Sequence, residues 1–391
     1  MGEWKKYKLR EVAEIIKDTY IPVGNSDYAY IGLEHIEQES LRLNSVGVSS
    51  DVRSNKFKFK ANDVLFGKLR PYFRKVVKPQ FDGICSTDIW VFRAKKGFDQ
   101  DFLFYFLANW DFVNTANNAE SGTRMPRADW SFLKETEWNL PPLPEQKSIA
   151  SVLSSLDDKI DLLHRQNKTL EALAETLFRQ WFVEEAEDGW ETGKLGDYGK
   201  IICGKTPSKK VHSYFGGNIP FIKIPDMHGK TFIFDTEDTL TEEGANSQQN
   251  KFLPPKSICV SCIATVGLVS MNAFTCQTNQ QINSIVPNKE IYRYFLYLKF
   301  TTMKEELLAM ASGGTATDNL NTGDFSNIDI IKPDDKVLKV FHNQVQVYFE
   351  KIFANQIQIR TLTRLRDTLL PKLMSRKVRV KDAERFVKEK L

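Results

Sequence analysis

Five cysteines in 391 residues are too few to serve as a disulfide framework, so a small secreted scaffold is excluded. Nowhere does the sequence reach the roughly 18 consecutive apolar residues that a membrane helix needs. Its opening stretch, "MGEWKKYKLREVAEIIKD", has no apolar core of the secretory type. Neither a membrane span nor a secretory leader is expected, and a reducing, cytoplasmic setting is. Catalytic signatures are missing as well. There is no Asn-Pro-Pro-aromatic motif of the kind used in amino methylation, and no Gly-rich cofactor loop after a strand. No active site, metal or cofactor is expected. Net charge is nearly absent, +4 from 54 Lys and Arg against 50 Asp and Glu. What is abundant is apolar: 41% of residues are hydrophobic, enough for real cores, and the length allows two or more domains.

The small net charge conceals local basic tracts. Positions 56–96 hold eleven Lys and Arg against three acids, and positions 351–391 hold twelve against four. Basic surfaces of this kind suit a polyanion, although solvated charge explains them equally well.

The chain also repeats itself. Trp4 and Leu9 in "EWKKYKLREV" match Trp190 and Leu195 in "DGWETGKLGDY". "NDVLFGKLRPYFRKVV" lines up with "PKSICVSCIATVGLVS", "GICSTDIWVFR" with "FTCQTNQQINSIVP", "AESGTRMPRADW" with "MASGGTATDNLN", and "LPPLPEQ" with "IIKPDDK". Each half reads as an α+β unit followed by a long helix. Short strands are expected at "DVLFGKL", "DIWVFRA", "SICVSCIA" and "INSIVP". One helix per unit is expected, at "DQDFLFYFLANWDFVNTAN" and at "EIYRYFLYLKFTTMKEELLAM".

The proline-launched helices carry the strongest periodicity. Ile149, Leu153, Leu156, Ile160, Leu163, Asn167, Leu170, Ala174, Leu177 and Trp181 alternate four and three residues apart, a heptad seam. The same seam recurs 192 residues later at Phe341, Val345, Tyr348, Ile352, Asn355, Ile359, Leu362, Arg366, Leu369 and Leu373, with Arg366 its one charged member. Some 35–40 helical residues span about 55–60 Å, and so narrow a stripe must be covered by another helix. The copies are expected to cover each other as an antiparallel coiled coil, a spacer between two similar modules. With seam ends aligned antiparallel, Trp181 faces Phe341 and Asn167 meets Asn355; a parallel pair leaves the two amides four residues apart.

Two similar modules at a set separation suit a ligand with repeated sites, and duplex DNA is the obvious one. The loop "GKLRPYFRK" places Lys68, Arg70, Arg74 and Lys75 around Tyr72, and "SGTRMPRADW" adds Arg124 and Arg127; mixed basic and aromatic loops suit phosphates and base edges. The second half offers amides and hydroxyls in the matching loops, Gln277, Asn279 and Gln280 in "CQTNQQIN" and Thr315, Thr317 and Asn319 in "SGGTATDNLN". The two modules are therefore expected to read different sequences.

These motifs, with "GKTPS" (Lys205, Thr206) and "LLPKLMS", carry a resemblance over nearly the whole chain. The chain resembles the specificity (S) subunit of a Type I restriction–modification enzyme. The Pro-Pro-x-x-Glu-Gln lead into a long helix is the most specific element. The second copy, "IIKPDDKV", departs from it by lacking the Glu-Gln pair, and the tail "SRKVRV" is more basic than usual. The resemblance implies target-recognition domains at 1–141 and 188–333, a conserved spacer helix at 142–187, and a second with a basic tail at 334–391. It also implies a bipartite double-stranded DNA target. Modification (methyltransferase) and restriction (translocase/nuclease) subunits are the implied partners, with no membrane involved.

Three motifs imitate chemistry. "GKIICGKT", residues 199–206, fits the phosphate-loop pattern, so an NTP-dependent enzyme is the alternative, beside a tandem DNA-binding scaffold without restriction partners. A phosphate loop must join a strand to a helix, and here Pro207 and a stretch with no helical stripe follow. Cys259 and Cys262 form a CxxC pair, but lie in a strand-like segment and read as buried thiols rather than zinc ligands. Asp129 with Glu145 and Lys147 faintly echoes a nuclease, yet Glu145 opens a helix, where an acid favours the N-terminal dipole.

Overall fold

The computed structural model describes residues 3–22, 27–118, 126–186, 189–312 and 318–390. The chain divides into two compact units, Met1–His164 with Gln356–Leu391, and Arg165–Asn355. Two long helices, Leu143–Arg179 and Asp335–Met374, each give one half to each unit.

In the first unit, Ile89–Ala94 lies antiparallel between Ala13–Ile16 and Val64–Gly67, with Val91 opposite both Ile16 and Leu65. Val76–Val77 completes this four-stranded sheet. Five short strands build a second sheet in the order Thr19–Tyr20, Lys56–Phe59, Gly83–Cys85, Ala29–Ile31, Gly47–Val48. Lys5–Lys8 pairs with Glu137–Leu140, bringing the start of the chain to the lead into the first long helix. The second unit repeats the plan. Ile282–Pro287 lies between Gly199–Cys203 and Ile258–Ser261, and Glu191–Lys194 pairs with Asp329–Lys332. The four strands read from sequence sit inside these sheets, where their mostly apolar side chains are covered on both faces.

Each expected globular helix is instead a pair, Gln100–Ala108 with Trp110–Asn118, and Arg293–Thr302 with Lys304–Ala311. The first break falls at Asn109, whose backbone is extended. The break frees the Ala108 carbonyl, which accepts from Arg74 Nε at 2.6 Å. The apolar pattern runs through the break because both short helices face one core, so periodicity could not reveal it.

The lead into the first long helix explains its Gln. Gln146 is buried; its Nε2 donates to the Pro141 carbonyl (2.8 Å) and its Oε1 accepts from Asp99 N (2.9 Å), tying the helix start to the helix Gln100–Ala108. At the second helix the position 192 residues on, by the offset of the seams, is the buried Leu338, and the first turn is tied instead by Asp335, which accepts from Lys289 Nζ at 2.5 Å and from Tyr292 Oη at 3.2 Å.

The helix seams are buried within each unit. Leu156, Ile160, Leu163 and Leu362, with half-buried Ile359, join the first core; Ile352, with half-buried Leu170, joins the second. In the second unit Asn355 Nδ2 donates to Asn167 Oδ1 at 2.8 Å, and the Trp181 and Phe341 ring centroids are 5.9 Å apart. The helices are therefore antiparallel in the expected register. In the first unit Asp157 meets Arg366, within one residue of that register. No helix among the described residues is long and apolar enough to cross a membrane.

Candidate nucleic-acid interface

Each unit pins two distant loops together by the same backbone bonds. In the first, Leu69 and Arg127 form an isolated antiparallel bridge. Arg70 N donates to the Pro126 carbonyl (2.8 Å), and Ala128 N to the Lys68 carbonyl (2.9 Å). A third loop joins them, since Lys68 N donates to the Asp88 carbonyl at 2.9 Å. In the second unit Ile263 and Asn319 form the bridge. Ala264 N donates to Asp318 O (3.1 Å), Leu320 N to Cys262 O (2.8 Å) and Cys262 N to Gln281 O (2.8 Å). Leu69, Arg127 and Asp88 thus correspond to Ile263, Asn319 and Gln281. Even the backbone strain repeats: Arg70 and Ala264 both have left-handed φ, at 51° and 65°, a conformation costly for residues with a Cβ.

The two constellations differ in chemistry. Around the first bridge Arg70, Tyr72 and Arg127 are exposed and Lys68 is half-buried. Arg127 Nε donates to Asp88 Oδ1 at 3.2 Å. Burial lowers the Lys68 ammonium pKa, with Asp88 opposing the shift and Arg127 and Lys17 adding to it. Around the second bridge Lys205, Gln280 and Asn319 are exposed. Thr206 Oγ1 donates to Gln280 Oε1 at 2.7 Å, fixing that amide.

Several expected contact residues turn inward. Arg74 is 2% exposed, and besides the Ala108 carbonyl it meets Asp367 Oδ1 at 3.3 Å, so it braces the core instead of facing a ligand. It shares a basic loop with Arg70, but a single turn, Pro71–Phe73, separates the two and sends them opposite ways. Half-buried Lys75 donates to the Leu33 carbonyl at 2.5 Å. Gln277 is fully buried; its Nε2 donates to Ala245 O (2.8 Å) and its Oε1 accepts from Gln248 (2.7 Å). Asn279 is buried and caps its own turn, its Oδ1 accepting from Gln281 N at 3.1 Å. Arg124, Thr315 and Thr317 lie outside the described residues. Part of the first basic tract is paired in place: Lys60 with Asp82, Lys78 with Asp101 and Arg93 with Asp63. Lys17 and Asp88 were not legible as site residues, because each reaches the cluster only through tertiary pairing.

The imitative motifs resolve into structure. Residues 199–203 are a strand, and the next amides are engaged: Gly204 N donates to Ile282 O (3.0 Å) and Lys205 N to Thr278 O (2.9 Å). No helix follows at the point where a phosphate loop needs one, and a Cβ at Gly204 would stand 2.0 Å from the Asn279 carbonyl. That glycine serves close packing of a turn. Cys259 and Cys262 are buried, and burial pushes both thiols up to about 12. Asp129 caps the short helix Trp130–Leu133 by accepting from Ser131 N.

Comparison with known proteins gives these paired constellations their context. Residues 1–172 and 187–364 match the family described as "Type I restriction modification DNA specificity domain". The Type I restriction enzyme HindI specificity subunit of Haemophilus influenzae is 33% identical, the match covering 96% of this chain and 99% of that protein. The Type I restriction enzyme MjaIX specificity subunit of Methanocaldococcus jannaschii is 29% identical over 74% of this chain and 71% of that one. The crystal structure of a Type-I restriction-modification system S subunit from M. genitalium shares the fold, with a TM-score of 0.58, 16% identity, and coverage of 95% of this chain and 96% of that one. On a two-part family match over most of its length and a full-length relative at this identity, the chain belongs to the Type I restriction–modification DNA specificity family.

Proposed function

We propose that the chain is a non-catalytic specificity subunit in which each unit reads one half of a bipartite double-stranded DNA site. Residues 1–141 and 188–333 act as the recognition domains, and the paired helices within 142–187 and 334–391 set the gap and dock modification (methyltransferase) subunits. A restriction translocase/nuclease subunit completes the complex, which works in the cytoplasm and supplies all the chemistry; this chain needs no cofactor of its own. The observation that carries the reading is the repeated pair of bridge-pinned loops, Leu69–Arg127 and Ile263–Asn319, with the same backbone bonds and different side chains. One frame holding two chemistries is what two different half-sites require. Methylome sequencing of cells carrying the chain with its methyltransferase partner is expected to give a single bipartite motif. Exchange of residues 1–141 for another recognition domain is then expected to change one half only. A change in both halves, or no motif, would sink the reading.

A further inference from the structure

Arg127 is held more firmly than an exposed arginine ordinarily is. Its neighbours on both sides are bonded to residues 68 and 70, which fixes its Cα. Its Nε donates to Asp88 Oδ1 at 3.2 Å, with the two side chains 44% and 29% exposed. Asp88 is itself fixed: its backbone N donates to Ser86 Oγ (3.2 Å) and its carbonyl accepts from Lys68 N (2.9 Å). Neither terminal guanidinium nitrogen has a partner among the described residues.

A phosphate contact needs none of this. Phosphate oxygens accept from many directions, and a carboxylate beside the arginine repels them. A base edge does need it: the N7 and O6 acceptors of guanine match two parallel N–H donors in one plane. The Nε–carboxylate bond sets that plane and removes much of the rotamer freedom that a long side chain otherwise loses on binding. In the second unit the corresponding residues are Asn319 and Gln281, and Gln281 Oε1 is engaged by Asn279 Nδ2 at 2.9 Å, so no buttressed fork exists there.

We infer that Arg127 reads a guanine in the half-site of the first unit, with Asp88 as its positioning residue. The inference rests on the proposed role of that unit in recognition, and it names the base and the residue.

The test uses the full chain assembled with its methyltransferase subunits and a DNA library randomised across the first half-site. The wild-type complex is expected to require guanine at one position by about 5- to 150-fold. Arg127→Ala and Arg127→Lys are each expected to lose that preference while every other position keeps its own. Asp88→Ala is expected to weaken the guanine preference while affinity for unrelated DNA stays level or rises, an outcome that a merely structural role would not give. A uniform loss over all sequences in Arg127→Ala, with the salt slope lower by about one, would mark a phosphate contact and overturn the inference. So would an unaltered base preference in that variant. A wild-type complex indifferent to the first half-site would overturn the recognition role itself, and with it this assignment.

Discussion

Where the long helices pass through the first unit they bury charge, and where they pass through the second they bury rings. Arg366, 1% exposed, donates to Asp157 (2.8 Å), Asp367 (3.1 Å) and the Ser40 carbonyl (3.1 Å). Asp157 also accepts from Tyr105 Oη at 2.7 Å. The positions corresponding to Arg366 and Asp157, 192 residues away, are Ala174 and Phe349. There Phe349 stacks on Tyr294 with ring centroids 4.4 Å apart and planes 3° from parallel. The heptad period is the same in both places, yet its occupants are not interchangeable. A buried ion network is tolerated only when every charge finds its partners, and the Ala174–Phe349 surface offers none. Each helix half is thereby matched to its own counterpart, and two similar seams are kept from pairing wrongly.

The comparison breaks most visibly at Asp367, which serves both Arg366 and Arg74. Asp367→Asn is expected to cost about 3–5 kcal/mol, because two buried guanidinium groups lose a charge partner. Hydrogen exchange should localise the loss to the first unit, around Gln100–Ala108; equal loss around Arg293–Thr302 would refute the assignment. Phe349→Ala is expected to cost a similar amount, about 3–5 kcal/mol, in the second unit. Here the two chemistries part company. Phe349→Leu should recover most of that loss except about 0.5–1.5 kcal/mol of ring stacking, whereas Asp367→Leu should recover nothing.

A smaller effect is expected at the amide pair. Asn167→Leu should cost about 1–3 kcal/mol by stranding the buried Asn355 amide. The Oδ1 of Asn355 already lacks a partner among the described residues, so replacing both asparagines with Leu should cost less than Asn167→Leu alone. Simple additivity in equilibrium unfolding would show that the two amides are not coupled.

The smallest effects sharpen the contrast between Arg70 and Arg74, which share left-handed φ values of 51° and 47°. Arg70→Gly relieves strain and is expected to stabilise the fold by at most about 1 kcal/mol, while DNA affinity falls. Arg74→Gly relieves the same strain but empties a buried cationic site, and should destabilise. Melting and DNA titration of the two variants side by side would separate them; parallel behaviour would mean that both arginines do the same work.

The sequence by itself determined whatever depends on periodicity and spacing. The heptad seams fixed which helix faces are buried, and the positions of Asn167 and Asn355 fixed direction and register, because an antiparallel alignment of seam ends lets two buried amides meet. The repeat fixed the two-unit plan, because equivalent segments make equivalent backbone bonds. Only the tertiary structure decided which polar side chains face outward. Arg70 and Arg74 lie four residues apart in one loop, and Gln277 and Gln280 three apart in another, with no period to sort them. Arg74 turns inward because a helix break far along the chain frees the Ala108 carbonyl and the second long helix brings Asp367. Asp88 and Arg127, 39 residues apart, meet only because backbone bonds draw their loops together. Such pairings arise when distant segments close on one another, and local propensity carries no record of them.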